Sequence, residues 1–311
     1  MVDVAHRFVE TNGIRMHVAE RGEGPLVLLL HGWPESWYSW RHQIAALADA
    51  GYHVVAPDQR GYGQTDKPER IDDYTIHHLV GDVVGLIHAL GESSAVVVGH
   101  DWGAPVAWQT ALMRPDLVRG VVGLSVPYTP RGSTAPLESI RAQTGDGFYQ
   151  IYFQEPGVAE KEFEADVDTT LRMVLYGGAN PVVPAGGGFL RKADVPPQLP
   201  DWLTEDDIAF YVGEFSRTGF TGGLNWYRNI DRNWALTGAW KGAVVQPPAL
   251  YCAGDKDVVV AFPGMKNVID NLQLFVPNLR ETLVFDGCGH WTQQERAREV
   301  NAALLRFLAG L

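Results

Sequence analysis

The sequence predicts an α/β fold: a mostly parallel, twisted sheet flanked by helices, with an inserted helical cap. Two observations predict it. First, short apolar runs rich in valine and leucine alternate with amphipathic helical patterns, which is typical of βαβ units whose strands are buried on both faces. Second, this alternation stops after Pro127 and resumes at Pro248. We therefore expect a separate, mainly helical unit within this interval.

The composition is that of a globular protein and excludes several other classes. Of the 311 residues, 46% are hydrophobic and 20% are charged, which argues against a disordered or fibrous chain. The net charge of −12 argues against a nucleic-acid or anionic-membrane partner. No apolar run, residues 25–30 included, is long enough to cross a bilayer. Two cysteines without a CxxC motif, and an N-terminus without the pattern of a signal peptide, lead us to expect a cytoplasmic protein.

The elements before residue 95 follow in a regular order. Residues 6–20 alternate loosely between apolar and polar and are interrupted at Asn12 and Gly13, which predicts a hairpin at a sheet edge. Two apolar runs then predict buried strands, each followed later by a helical pattern, and Ser36 is the predicted cap of the first helix. These predicted elements are strands at 26–30 and 53–56 and helices around 36–47 and 75–90.

A third apolar run, residues 96–98, ends in a turn flanked by Gly99 and Gly103. Without side chains, these glycines let the chain turn sharply and let the following helix pack close to the strand. This strand, turn and helix form the pattern of a nucleophile elbow, which holds its central residue at the carboxyl edge of the sheet. That residue is Asp101, where the esterase form has serine. Another buried strand is predicted at 121–126.

The chain from residue 128 to about 237 contains no convincing buried strand. It has helical patterns near 158–175, 205–215 and 224–234, and a loop at 181–200 rich in Pro and Gly. Thr204, followed by three acidic residues, is a suitable helix start. We therefore predict a core of residues 1–128 and 238–311 and a cap of residues 129–237. The last core elements are predicted as strands at 248–253 and 281–285 and an amphipathic helix around 300–308.

The order of three residue types predicts a catalytic triad. In proteins with a nucleophile elbow of this kind, the nucleophile, an acid and a histidine follow one another along the chain. Of ten histidines only His290 lies after Asp101, so order alone selects it as the base. Two aspartates just after the strand predicted at 248–253 qualify as the acid, Asp255 and Asp257. The motif formed by residues 254–257 favours Asp257. Its role would be to orient the imidazole and to stabilise the imidazolium.

An aspartate nucleophile changes the chemistry that the triad performs. A carboxylate is already ionised near neutral pH and suits displacement at a saturated carbon that bears a leaving group. The product is an ester of Asp101, and His290 is then free to activate the water that hydrolyses it. Hydrolysis creates an oxyanion, for which the N–H groups of Trp33 and Trp102 are the predicted donors. The sequence thus predicts hydrolysis of a C–O or C–halogen bond.

Other candidate motifs have simpler explanations. His77 and His78 are adjacent on a helix and point apart, which does not suit a metal site. His100 is interpreted as a packed residue at a strand end, and Asp58 fits a loop cap as well as a site residue. Three consecutive glycines at 186–188 follow no predicted strand and so do not form a phosphate-binding loop.

Four motifs resemble those of the α/β-hydrolase family and, within it, the epoxide hydrolases. They are HGWPESW at 31–37, DQRGYG at 58–63, GHDWGA at 99–104 and CGHW at 288–291. The resemblance runs over essentially the whole chain, cap included. It is strongest to the hydrolase domain of the vertebrate soluble epoxide hydrolases and to bacterial relatives. The phosphatase-like domain of the vertebrate proteins is not part of this sequence, so no phosphatase activity is expected.

The resemblance implies two tyrosines that polarise the epoxide oxygen. The segment YQIYFQEPG at 149–157 places the first on Tyr149, with Tyr152 as a near competitor, and LNWYRN at 224–229 places the second on Tyr227. Phenols of pKa near 10 can donate to the ring oxygen while uncharged. The implied substrates are a small apolar epoxide and water, and no cofactor or metal is expected. The implied substrate pocket includes His31, Pro34, Gln150 and Phe153.

Two other functions remain open at this point. A haloalkane or haloacid dehalogenase would use the same nucleophile and would need halide donors, one of which Trp102 could supply. The two tyrosines, and Trp33 where many dehalogenases have asparagine, favour the epoxide. A non-catalytic ligand-binding protein is disfavoured by the intact set of Asp101, His290 and Asp257. The sequence leaves a monomer and a homodimer equally open.

Overall fold

The computed structural model describes residues 3–176, 181–190 and 198–311. A single eight-stranded sheet organises them, in the order β1-β2-β4-β3-β5-β6-β7-β8. β2 pairs antiparallel with both β1 and β4, and the remaining neighbours are parallel. The predicted edge hairpin and the α/β fold class are therefore confirmed. The strands are β1 (Ala5–Thr11), β2 (Ile14–Arg21), β3 (Leu26–Leu30), β4 (His53–Pro57), β5 (Ala95–His100), β6 (Val118–Leu124), β7 (Ala249–Gly254) and β8 (Leu279–Phe285).

Helices follow or separate these strands along the chain. Within the described ranges the α-helices are α1 (Arg41–Asp49), α2 (Ile76–Ala89), α3 (Gly103–Met113), α4 (Pro136–Thr144), α5 (Tyr149–Tyr152), α6 (Val158–Glu164), α7 (Val167–Tyr176), α8 (Glu205–Thr218), α9 (Thr221–Arg228), α10 (Ile230–Leu236), α11 (Met265–Asp270), α12 (Thr292–Glu295) and α13 (Ala297–Ala309).

The central strands are buried on both faces because helices cover both sides of the sheet. In β3, Leu28 packs into the hydrophobic cluster that includes α2 and α3, whereas Val27 and Leu29 pack into the cluster that includes α1 and α13. All three side chains are completely buried. Alternation of side chains across a strand explains why the sequence of β3 is apolar at every position and not only at every second one.

Several predicted helices differ in extent from those observed. Ser36 does cap a helix, but this is a short 3₁₀ helix at Trp37–Trp40 that precedes α1. The single helix predicted at 158–175 is two helices, and the second begins after Asp166, whose carboxylate accepts the N–H of Thr169. The segment predicted at 224–234 is divided at Asn229 between α9 and α10. Helices α4, α5 and α11 were not predicted from the sequence.

Between β6 and β7 the described residues form helices α4 to α10 and add no strand to the sheet. We propose that residues 129–237 form a cap on a core of residues 1–128 and 238–311. Part of the loop predicted at 181–200, residues 191–197, lies outside the described residues. Among the helices that are described, none combines the length and the apolar character needed to cross a membrane.

Candidate active site

The turn between β5 and α3 holds Asp101 above the carboxyl end of the sheet. Asp101 has a φ of 48°, a left-handed conformation that non-glycine residues rarely adopt outside constrained sites. A Cβ on Gly99 would lie 2.1 Å from the carbonyl oxygen of Gly103, and one on Gly103 would lie 2.0 Å from that of Leu30. Only glycine fits at both positions, so the local sequence imposes the sharp turn that exposes the Asp101 carboxylate.

The two carboxylate oxygens of Asp101 have different surroundings. Oδ1 accepts a hydrogen bond from the backbone N–H of Trp33 at 2.8 Å. Oδ2 lies 3.5 Å from Nε2 of His290. The amide of Trp102, the other predicted donor, makes no hydrogen bond to this carboxylate within the described residues. Oδ1 thus occupies a donor site suited to an oxyanion, whereas Oδ2 faces Nε2 of His290.

His290 connects Asp101 with Asp257. Its Nδ1 lies 2.9 Å from Oδ1 of Asp257, which also accepts the N–H of Val259 at 2.9 Å. Asp257 is 1% exposed, whereas Asp255 is exposed and lies beside Lys256. Of the two acids that the sequence left open, the structure brings Asp257 to the histidine.

Burial and charge determine the resting protonation of this group. Burial by itself lowers the pKa of His290, but the charge of Asp257 and hydrogen bonds to Asp101 and Asp257 outweigh it and raise that pKa well above its usual value. Burial by itself raises the pKa of Asp101, but the hydrogen bond and charge of His290 outweigh it and lower that pKa. Both shifts act in the same sense and favour the ion pair of the Asp101 carboxylate and the His290 imidazolium in the resting site.

Ser125 is a contact of His290 that the sequence analysis did not identify. Its Oγ lies 3.1 Å from Nδ1 of His290. The residue follows β6 with a φ of 69°, and its carbonyl oxygen accepts the hydroxyl of Tyr251 at 2.7 Å. The sequence pattern placed Ser125 inside the strand predicted at 121–126, whereas β6 ends at Leu124, so no sequence signal marked this residue as a contact of His290.

Tyr149 and Tyr227 lie in the same cavity as Asp101 and His290, although they are on different helices. Their ring centroids are 6.0 Å apart. Tyr152, the competitor for the first position, donates its hydroxyl to Oε2 of Glu162 at 2.9 Å and does not line this cavity. The structure thus brings Tyr149, and not Tyr152, to the candidate site.

Both tyrosines contact a neighbouring side chain. Nε2 of Gln150 donates a hydrogen bond to the Tyr149 hydroxyl at 3.1 Å, and the Trp102 ring packs edge-to-face against the Tyr227 ring, with the centroids 5.1 Å apart. Burial, and then the negative charge of Asp101, raise the pKa of both phenols above the usual value. Both tyrosines are therefore neutral near pH 7, and each keeps its own O–H proton available to a ligand.

The cavity has a volume of about 400 Å³ and a largely apolar wall. Besides the catalytic candidates, the side chains with charged or hydroxyl groups in the wall are Tyr176, Lys256 and Glu295. Such a cavity suits a small apolar molecule with one polar reacting group. In the described part of the chain, no cluster of three or more His, Cys, Asp or Glu side chains is arranged to hold a metal ion. Further lining residues are Trp33, Val174, Leu175, Phe189, Trp202, Val259, Phe262 and Trp291.

Four residues predicted for the substrate pocket do not line the cavity. They are His31, Pro34, Gln150 and Phe153. His31 is fully buried, and its Nε2 accepts the N–H of Gln59 at 3.0 Å. Phe153 is fully buried and packs against the ring of Trp33, which is followed by Pro34 through a cis peptide bond. Gln150 does not line the cavity itself, but it donates a hydrogen bond to the hydroxyl of Tyr149, which does. These residues pack behind the side chains that form the cavity wall.

Two further polar residues singled out in the sequence have structural partners. Asp58 is fully buried, contacts Nδ1 of His17 at 2.8 Å and accepts the N–H of Trp37. His100 is fully buried between Oε2 of Glu35 and the carbonyl oxygen of His290, each at 2.8 Å. Asp58 therefore connects the edge hairpin to the loop after β4, and His100 supports the loop that carries His290.

Comparisons with known proteins give a consistent result. Residues 25–297 match the family model described as "alpha/beta hydrolase fold". "Epoxide hydrolase A" of Mycobacterium tuberculosis is 48% identical, over 98% of this chain and 97% of that protein. "Bifunctional epoxide hydrolase 2" of Sus scrofa is 41% identical, over 95% of this chain and 53% of that protein. The crystal structure of an epoxide hydrolase from Vigna radiata has a TM-score of 0.97 at 46% identity and covers 100% of this chain and 99% of its own. The similarity extends through the proposed core and the proposed cap.

Proposed function

The chain belongs to the α/β-hydrolase family and to the epoxide hydrolases within it, and we propose that it converts an epoxide and water to a vicinal diol through an ester of Asp101. The observation that carries this proposal is the pair of neutral phenols, Tyr149 and Tyr227, in the cavity that holds the Asp101 carboxylate. An epoxide needs a nucleophile on one side of the C–O bond and proton donors at the oxygen, and this cavity supplies both.

In the proposed first step, Oδ2 of Asp101 attacks a ring carbon and the C–O bond to the ring oxygen breaks. Oδ2 is assigned as the attacking atom because Oδ1 is engaged by the N–H of Trp33. The developing alkoxide receives hydrogen bonds from Tyr227 and from Tyr149, whose own oxygen already accepts a hydrogen bond from Gln150. Preorganised donors of this kind stabilise charge that develops in the transition state.

In the proposed second step, His290 takes a proton from water and the resulting hydroxide attacks Cγ of Asp101. Negative charge then develops on Oδ1, where Trp33 donates, and the amide of Trp102 remains the second predicted donor. The Cγ–Oδ2 bond breaks and the diol leaves with that oxygen. Asp257 stabilises the imidazolium that forms. His290 returns the proton taken from water to Oδ2 as the Cγ–Oδ2 bond breaks. The hydroxyl newly bound to Cγ releases its proton as the Asp101 carboxylate re-forms, and this balances the proton that the alkoxide gains after the first step.

The pH dependence is expected to differ between the free enzyme and the ester. In the free enzyme the hydrogen bond and charge of Asp101 help to raise the pKa of His290. Asp101 is uncharged in the ester, so that pKa falls, and His290 becomes a free base at lower pH. We therefore expect the acid limb of the hydrolysis rate constant to lie below the pKa of His290 titrated by NMR in the free enzyme. Coincidence of the two values would contradict this coupling.

The function is tested by replacing the phenols one at a time. We expect the wild-type protein to form diol from styrene oxide, and Tyr149→Phe or Tyr227→Phe to slow formation of the ester by about 10²- to 10³-fold, the range for loss of one preorganised donor. Tyr152→Phe is the matched control, because its hydroxyl contacts Glu162 instead. Single-turnover assays with styrene oxide measure this step directly.

Two results would favour the alternative functions. Halide release from chloroalkanes or fluoroacetate, without diol from any epoxide in a series of graded size, would identify a dehalogenase that uses the same aspartate. Tight epoxide binding without turnover would identify a ligand-binding protein. If Tyr152→Phe slowed ester formation as much as Tyr149→Phe does, the assigned role of the tyrosines would be contradicted.

A further inference from the structure

Glu295, at the end of α12, binds the loop that carries His290 on both sides of the histidine. Its Oε2 accepts the backbone N–H of Gly289 at 2.6 Å, and its Oε1 accepts that of Trp291 at 2.9 Å. One carboxylate therefore engages the peptide N–H groups of both residues that flank His290. Hydrogen bonds to an ionised acceptor are stronger than neutral ones, so this contact restrains the loop more firmly than an amide would.

The local sequence is adapted to this contact. The backbone N–H of Glu295 donates to the carbonyl oxygen of Trp291 at 2.8 Å, so both its backbone and its side chain contact the same peptide segment. A Cβ on Gly289 would lie only 2.9 Å from Oε1 of Glu295 and 3.2 Å from Oε2. The absence of a side chain at position 289 is therefore what lets the carboxylate reach the N–H group of that residue.

The contact with Glu295 complements the one made by Asp257. Asp257 holds the His290 ring at Nδ1, but it cannot by itself determine where the backbone places that ring. Glu295 lines the cavity beside His290 and restrains the backbone on both sides of it. We propose that Glu295 is a positioning residue that keeps Nε2 of His290 aimed at the ester of Asp101 and its attacking water. This inference rests on the proposed function.

Loss of the Glu295 contact is expected to slow only one of the two half-reactions, the hydrolysis of the ester. Formation of the ester uses the Asp101 carboxylate and the two tyrosines, and it needs no proton transfer to His290. Hydrolysis of the ester requires Nε2 at the correct distance from a water molecule. Loss of the Glu295 contact should therefore slow hydrolysis selectively and should increase the fraction of enzyme present as ester during turnover.

The test measures both rate constants in Glu295→Gln. The glutamine has nearly the same shape, but its NH₂ group faces one of the two N–H groups. With styrene oxide, we expect the hydrolysis rate constant to fall by about 10- to 10²-fold, as for a catalytic group displaced by up to 1 Å, and ester formation to keep its wild-type rate. Rapid quenching followed by intact-protein mass spectrometry measures the ester. Glu295→Asp keeps the charge on a shorter side chain and should lie between wild type and Glu295→Gln.

Two more variants separate positioning from a general loss of structure. Gly289→Ala should push the carboxylate away and reproduce the Glu295→Gln pattern without changing a charge. Glu299→Gln removes one negative charge at an exposed position in α13 and should leave both rate constants unchanged. Equal slowing of both half-reactions in Glu295→Gln and Glu295→Asp, or unchanged hydrolysis in Glu295→Gln, would overturn the inference. Absence of ester and diol in the wild-type protein would instead overturn the proposed function.

Discussion

Replacement of Asp101 by alanine is expected to abolish diol formation, with a loss of roughly 10⁴-fold or more, in the range seen when a catalytic nucleophile is removed. Among the described residues in or beside the cavity, no other carboxylate can take its place, because Asp257 is buried behind His290 and Glu295 is engaged by two backbone N–H groups. His290 would still be present, so any remaining activity would report direct attack of water on the epoxide. Steady-state diol formation from styrene oxide measures the loss.

The isosteric variant Asp101→Asn provides the control for folding. Its side-chain oxygen can still accept the N–H of Trp33, so the elbow keeps the contact that Oδ1 makes in the wild-type protein. An amide is a poor nucleophile, and we expect this variant to be as inactive as Asp101→Ala, with a melting temperature close to that of the wild type. Diol formation at the wild-type rate by either variant would rule out Asp101 as the nucleophile.

Isotope labelling tests the same assignment without a mutation. If Oδ2 of Asp101 forms the ester and water attacks Cγ, the diol leaves with an oxygen from the protein. A single turnover in H₂¹⁸O is therefore expected to place the label in the Asp101 carboxylate and not in the diol. Peptide mass spectrometry and analysis of the diol locate the label. Label in the diol after the first turnover would show direct attack by water.

The elbow and the triad order were accessible from the sequence because they are local or follow from chain order. Gly99, Asp101 and Gly103 lie within five residues, and the close backbone approaches that demand glycine are made within this turn or to the neighbouring β3. His290 was selected because it is the only histidine after the elbow. Parallel strands bring their carboxyl ends to one edge, and so residues at strand ends were expected to meet.

Other features depend on tertiary contacts that sequence patterns do not contain. Asp255 and Asp257 are equivalent in a pattern, and only the turn after β7 directs one to Lys256 and the other to His290. His31 lies in a motif that suggested a pocket residue, yet its ring is fully buried and accepts the N–H of Gln59. The contacts that Ser125 and Glu295 make with the His290 loop could not be predicted from sequence patterns for the same reason.

Replacement of His290 by glutamine is expected to stop the reaction after its first step. General-base catalysis contributes about 10²- to 10⁴-fold, and we expect the hydrolysis rate constant to fall by that factor. Asp101 can still attack, provided that it is ionised. His290 lowers the pKa of Asp101 and burial raises it, so that pKa rises in His290→Gln. The assay is therefore best done near pH 8, well above the usual pKa of a carboxyl group.

The direct result is a stable covalent intermediate. With excess styrene oxide, His290→Gln should gain the mass of one epoxide molecule per chain, and the modified peptide should contain Asp101. The double variant Asp101→Asn with His290→Gln should gain no mass under the same conditions, which excludes alkylation of other side chains. An adduct that still forms in the double variant, or a His290→Gln enzyme that turns over at the wild-type rate without accumulating ester, would contradict the two-step mechanism. Since the ester forms only if Asp101 acts as nucleophile and persists only if His290 acts as base, this one variant tests both assignments and their order.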